Sequence, residues 1–315
     1  MPSVCITGPH RYPDLARLWY RSVARDVAPV FQNAGWDVAV KIYCDSGPAN
    51  FPAGWLHGAE LDGPRPGARD FVEFYGASLE YPFDFLFFVD ADLFITDGSV
   101  VAEHLRLFDD PDLAAISFLK RAKLPGVYAL LLRREAYREM GPDVLAATYE
   151  GLETWPDAVN RGPGENAAVR LEAAGKRIVD ITAEAQPSIA DFHGTTVIRA
   201  SRDMFAEAIG EEKFEALIGG KRYFCMGAYD NLLLGNLYRQ IFHAPFAAGS
   251  GGAHMEGSVT EDALRAILRR IEDENLIGAV ASYFERSNQA ISRLAAREGL
   301  RFELPPVIPQ AWGLA

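Results

Sequence analysis

The sequence predicts an α/β protein: a doubly wound, mostly parallel sheet wrapped by helices, followed by a helical C-terminal extension. Three observations carry this reading. A β-branched run at residues 4–7 precedes apolar residues at helical spacing (Leu15, Leu18, Trp19, Val23, Val27, Val30, Phe31) and a second strand-like run at 36–43, the β-α-β order of a parallel sheet. The run Phe85–Val89 is apolar throughout, as a strand buried on both faces should be. The last third changes character, with a glycine-rich stretch at 246–257 and then two long helical patterns. The expected division is a sheet domain over residues 1–245 and a glycine-rich loop plus helical extension over 246–315.

Each element follows from local signals. Gly8-Pro9 ends the first strand, Gly35 stops a helix over 13–34, and the second strand ends at Asp45-Ser46-Gly47-Pro48, all of them turn or breaker residues. Residues 46–67 are rich in Gly and Pro and read as loop. A helix over 68–79 leads into the strand at 85–89; a helix over 100–108 and strands at 114–118 and 127–133 follow. A short helix over 135–140 is closed by Gly141-Pro142, and a helix over 166–174, stopped by Gly175, feeds a strand at 177–181. Helices over 260–276 and 277–299 and an extended tail at 305–309 complete the chain. No internal repeat or low-complexity block is present.

Composition narrows the function. With 315 residues, 49% hydrophobic and 23% charged, the chain can bury a substantial core and does not have the composition of a disordered protein. A formal net charge of -12 argues against nucleic-acid binding, which needs clustered Lys and Arg. It leaves room for a small nucleotide whose diphosphate is neutralised by a metal ion. Cys5, Cys44 and Cys225 are scattered and form no CxxC pair, so neither a zinc site nor a disulfide framework is expected, and a reduced, cytoplasmic setting fits. The start of the chain does not read as a signal peptide, and no run of about 18 apolar residues is present.

The chemistry concentrates at Asp90-Ala91-Asp92, directly after the apolar strand. Ligands of open α/β sheets bind beyond the carboxyl ends of the strands. In an extended chain, residues i and i+2 point the same way, so both carboxylates could converge on one point. Two neighbouring carboxylates there call for a compensating cation, and a hard divalent ion, Mn2+ or Mg2+, accepts one or two of them together with substrate phosphates. The bland reading, a helix-capping aspartate, accounts for one of the two.

Strand-Asp90-Ala91-Asp92-Leu93-Phe94 resembles the D-x-D motif of GT-A-fold glycosyltransferases, and three further stretches continue the resemblance in order. Gly67-Ala68-Arg69-Asp70 is similar to the G-x-x-R-N segment of family-2-like members. The stretch 126–137 resembles the strand and helix that floor the acceptor site, and Gly164-Glu165-Asn166 with the helix after it resembles the G-E-D segment. The resemblance spans about residues 1–200. It implies a GT-A-like fold, a UDP-, GDP- or dTDP-sugar donor, and nucleotide-sugar contacts at Thr7, Arg69, Asp90, Ala91 and Asp92. It also implies a metal held by Asp90, Asp92 and a downstream histidine, for which His193 is the first candidate and His254 the alternative.

Asn166 departs from the inverting pattern, where an Asp is the general base, because an amide cannot take a proton at neutral pH. The G-E-N form is closer to retaining polypeptide N-acetylgalactosamine transferases. Either the transfer is retaining, with the leaving diphosphate assisting the acceptor, or Glu165 acts as the base; as a bland alternative, both residues only head the following helix. The glycines at 249–252 suit a lid over the donor, or simply a surface loop. Competing readings are a nucleotidyltransferase, for which Thr7-Gly8-Pro9-His10-Arg11 is a faint phosphate-loop echo, and a non-catalytic binder of sugar nucleotides. The acceptor is undefined, Asp230 is a spare acidic candidate, and the C-terminal helices could pack as a homodimer interface or against a membrane surface.

Overall fold

The computed structural model describes residues 1–44, 47–52, 54, 56–63, 71–120, 124–145, 148–150, 159–161, 164–191, 206–218, 260–262, 265, 269, 289 and 292–300. The chain divides into two compact units, one of Met1–Thr148 with Val159–Asp191 and the other of Tyr149–Ala158 with Phe192–Ala315.

The elements in chain order are β1 (Ser3–His10), α1 (Pro13–Ser22), a π-helical turn (Val23–Val27), α2 (Ala28–Asn33), β2 (Asp37–Cys44), β3 (Glu60–Asp62), α3 (Phe71–Ser78), β4 (Phe85–Val89) and β5 (Leu93–Ile95). Then come α4 (Ser99–His104), β6 (Leu113–Leu119), β7 (Ala129–Arg133), α5 (Arg134–Arg138), β8 (Thr148–Glu150), β9 (Val159–Arg161), α6 (Glu165–Ala173), β10 (Arg177–Asp180), α7 (Thr182–Ala185) and β11 (Ile189–Asp191). In the second unit α8 spans Glu211–Ile218; there Lys213 pairs with Glu261, which also binds Arg265 one turn on.

A seven-stranded sheet in the order β10-β6-β7-β4-β1-β2-β3 forms the centre of the first unit. Its neighbours are parallel except at β7, which runs antiparallel between β4 and β6. The chain lays down β2 and β3 on one side of β1 and β4 on the other, so the winding reverses between β1 and β4. Aromatic side chains cover both faces. Phe31 packs on Phe87, Trp36 on Phe85, and Phe87 on Phe118 on one face; Tyr43, Tyr75 and Phe88 gather around Phe74 on the other. At the bottom of the first face the Arg133 guanidinium lies 5.2 Å from the Phe85 ring centre while donating to the Phe108 carbonyl at 2.9 Å, so its charge is stacked and hydrogen-bonded together.

Several elements differ from the sequence reading for identifiable reasons. The single helix expected over 13–34 is broken by the π turn. Pro29 has no N–H to offer the carbonyl four residues back, and the ladder widens around it. Gly8-Pro9 does not end β1. The β1–β4 pairing is recorded only up to Thr7 opposite Phe88, whereas β2 follows β1 to His10, so Pro9 sits where one edge of the strand needs no donor. The loop expected over 46–67 contains β3, an edge strand whose Asp62 accepts a 2.6 Å hydrogen bond from the Tyr81 hydroxyl. Among the described residues no helix is long and apolar enough to cross a membrane. Most of the expected C-terminal extension lies outside the described residues.

Candidate functional site at the carboxyl ends of β1 and β4

Open α/β sheets place ligands in the crevice where the winding direction reverses, and β4 delivers Asp90 to that edge. The β4 strand is buried at all five positions, so its exit is held rigidly. Asp90 donates its backbone N–H to the Tyr128 carbonyl at 2.8 Å. Its Oδ1 accepts the Ala91 N–H at 3.0 Å, and the Leu93 N–H returns to the Asp90 carbonyl at 3.1 Å. The segment is thus a four-residue turn with Ala91 and Asp92 at its centre. This replaces the extended geometry expected from i, i+2 spacing, because an Asp at the first turn position bonds the backbone just ahead of it and ends the strand.

Neither aspartate heads a helix. The next one, α4, has Gly98 before it, and its Ser99 N–H is taken by Asp97 at 2.9 Å. Asp90 is half-buried, Ala91 is buried and Asp92 is only 4% exposed. Such enclosure of a carboxylate needs compensation from donors or a cation.

The α6 helix starts against the same region. Gly164 precedes it with φ +82, and a Cβ there would lie 2.8 Å from Val127 Cγ1 and 3.2 Å from Val127 N, so only glycine lets the helix start approach this loop. Tyr128, the next residue, is the one bonded to Asp90. Gly126–Tyr128 therefore link the aspartate turn to Glu165, which is buried in the first turn of α6. Asn166 follows in α6 with its side chain outside the described residues. Arg69, His193 and His254 also lie outside them. Thr7 is enclosed within the sheet, and its Oγ1 has no hydrogen-bond partner among the described residues. From the far end, β11 runs antiparallel to β5 and stops with Asp191 opposite Leu93, one residue past Asp92.

Among the described residues no group of three His, Cys, Asp or Glu side chains could hold a metal ion. Asp90 and Asp92 are hard oxygen donors of the kind Mn2+ or Mg2+ takes alongside phosphate oxygens and water, so they suit part of such a shell.

His10, which the sequence offers only within a faint phosphate-loop echo, lies beside the site, near Gly8 and the Val89 carbonyl. It is 1% exposed and packs edge-on against Trp19 at 4.8 Å between ring centres, and neither ring nitrogen has a hydrogen-bond partner among the described residues. The alternation Ile6, Gly8, His10 along β1, which puts all three on the helix-covered face, was the available signal. Burial without a charged partner pushes its pKa down to about 3 from the usual 6.5. As pH falls through 6.5 the unfolded chain binds a proton that the folded protein refuses. Stability from this position is therefore complete above about pH 6.5 and declines progressively toward pH 3. Urea unfolding of wild type and His10→Leu at pH 7 and pH 4 is expected to diverge by on the order of a few kcal/mol in favour of the variant at the lower pH; parallel pH profiles would contradict this.

No family model matches the chain, and no curated protein matches it. Among the solved structures that are similar at a low level are three. One is a mannosyltransferase from Pyrobaculum calidifontis in complex with GDP-Man and Mn2+ (TM-score 0.41, 13% identity, covering 94% of this chain and 86% of that one). Another is the catalytic domain of Drosophila β1,4-galactosyltransferase 7 with xylobiose (TM-score 0.37, 13% identity, 61% and 71% covered). The third is a cytidylyltransferase from Leptospira borgpetersenii (TM-score 0.34, 11% identity, 57% and 75% covered). Likenesses this distant assign neither family nor activity.

Proposed function

We propose that the protein is a metal-dependent glycosyltransferase that moves a sugar from a nucleoside-diphosphate donor (UDP-, GDP- or dTDP-sugar) to an acceptor hydroxyl. The observation that carries the reading is the placement of Asp90 and the enclosed Asp92 on one tight turn at the carboxyl end of β4, where the sheet's winding reverses. A sugar nucleotide's diphosphate at that crevice would bring further negative charge to two carboxylates, and a shared divalent cation would balance it.

Asp90 and Asp92 would hold Mn2+ or Mg2+. Bound there, the ion supplies charge stabilisation for the leaving diphosphate. His193 is proposed as a third ligand, the role the sequence resemblance implies for a downstream histidine, and His254 is the alternative. Arg69 and the backbone at Ala91 would contact the nucleotide. Thr7, enclosed in the sheet, would support the crevice floor from behind. Glu165 and Asn166 would face the sugar and acceptor from the start of α6. Because an amide cannot act as a base, the transfer is read as retaining. The burial of Glu165 in the first turn of α6, whose preceding Gly164 packs on Val127, favours a second reading, an inverting transfer with Glu165 as base.

The test is a panel of sugar nucleotides incubated with and without Mn2+, following nucleoside diphosphate release and, by NMR, the anomer formed. Metal-dependent release from at least one donor is expected, with retained configuration; inversion would select the Glu165 reading. Pyrophosphate release from a nucleoside triphosphate and a sugar 1-phosphate, with no donor turned over, would replace the proposal with nucleotidyl transfer.

A further inference from the structure

We propose that Ser22 is a positioning residue for the aspartate turn, acting through the Ile95 carbonyl. This rests on the reading of Asp90 and Asp92 as metal ligands. Ser22 is the last residue of α1 and is 1% exposed, and its Oγ donates to the Ile95 carbonyl at 3.0 Å across 73 residues of sequence. A serine inside a helix commonly spends its hydroxyl on a carbonyl of its own helix; this one leaves the helix to hold another element.

That element is β5, three buried residues attached directly to Asp92. One edge of β5 is held by β11, with Thr96 donating from its N–H at 2.8 Å and from its Oγ1 at 3.1 Å to the Ser188 carbonyl. Antiparallel pairing alternates, so the residue before Thr96 turns its carbonyl to the opposite edge. Ser22 meets that carbonyl. The aspartate turn is thereby anchored twice, through the Tyr128 carbonyl where the chain leaves β4 and through Ser22 and β11 beyond Asp92. Without the hydroxyl the Ile95 carbonyl is buried unpaired, and the strand that fixes the orientation of Asp92 keeps only one held edge. Groups that orient ligating carboxylates commonly change metal affinity by roughly 10- to 100-fold when removed.

The experiment titrates the full-length protein with Mn2+ alone and reads free Mn2+ by its EPR signal for wild type, Ser22→Ala, Ser22→Thr and Ser78→Ala. Ser78 is a fully buried serine bonded to the Tyr75 carbonyl at 2.9 Å within α3, and it supplies the control for loss of a buried serine bond. Ser22→Ala is expected to weaken Mn2+ binding about 10-fold. Ser22→Thr, which keeps the donor, should stay within about three-fold of wild type, and Ser78→Ala should match wild type whatever its thermal stability. Equal affinities for Ser22→Ala and wild type, or an equal loss in Ser78→Ala, would overturn the positioning role while leaving the metal site standing. A wild type that binds no Mn2+ in this titration, yet turns over no donor either, removes the metal reading and this role together.

Discussion

Asp92→Ala is expected to lower metal-dependent turnover of the sugar-nucleotide donor by about 10²- to 10³-fold, the size of effect seen when one preorganised stabiliser of developing charge is removed. The expectation comes from position and enclosure together. Asp92 lies at the third residue of a turn whose backbone bonds are closed without its side chain, so the turn can survive truncation. Its 4% exposure means that a surface role cannot explain it. Asp92→Asn separates charge from shape, since the amide keeps the volume and loses the negative charge that a divalent ion requires. Both variants should lose turnover while circular dichroism and the urea midpoint show a folded protein. Turnover in Asp92→Asn within a few-fold of wild type would remove the carboxylate from the reaction.

The strands that build this site differ in how openly the sequence announces them. β4 is five apolar residues in a row, and such a run has few alternatives to a central strand. β1, α1 and β2 follow from a β-branched run, helical spacing and a second strand-like run. β5 is harder, because three residues give no period, and its partner β11 lies almost a hundred residues downstream; only tertiary pairing makes either a strand. The same holds for Ser22. Nothing in a helical pattern says that a serine on its buried side will satisfy a carbonyl of another element, because that depends on where β5 settles. The aspartate pair was visible as a motif, but its local geometry was not. Spacing alone suggested an extended chain, whereas the competition of the Asp90 side chain for the next N–H produces a turn. Glu165 and Asn166, after Gly164, were legible as residue types that head the helix expected over 166–174. That the glycine is required by the close approach of Val127 became apparent only with both segments in place.

Gly8 shows the same limit with a large energetic consequence, and Gly8→Ala is expected to destabilise the protein by about 3 kcal/mol or more, the range of overpacking against an unyielding wall. In the sequence Gly8 reads as a strand terminator. In the fold it lies inside β1, and a Cβ at that position would stand 2.2 Å from the Val89 carbonyl oxygen, with Trp19 and His10 closing the other sides at 3.4 and 3.5 Å. The obstructing atom is backbone and cannot rotate away, so β1 and β4 must separate. Because Val89 immediately precedes Asp90, that separation displaces the aspartate turn as well. Gly35→Ala provides the contrast. Gly35 has φ +79 but nothing within 4 Å of the added carbon, so its substitution carries only the left-handed backbone penalty of about 1–2 kcal/mol, and it lies before the amino end of β2, away from the carboxyl ends of the strands. Urea unfolding should rank Gly8→Ala well below Gly35→Ala in stability. Where Gly8→Ala remains folded, its Mn2+-dependent turnover should fall while that of Gly35→Ala stays at the wild-type level. Equal stability losses would mean that β1 and β4 can part at a cost no greater than one left-handed backbone penalty, and that this contact does not hold the aspartates in place.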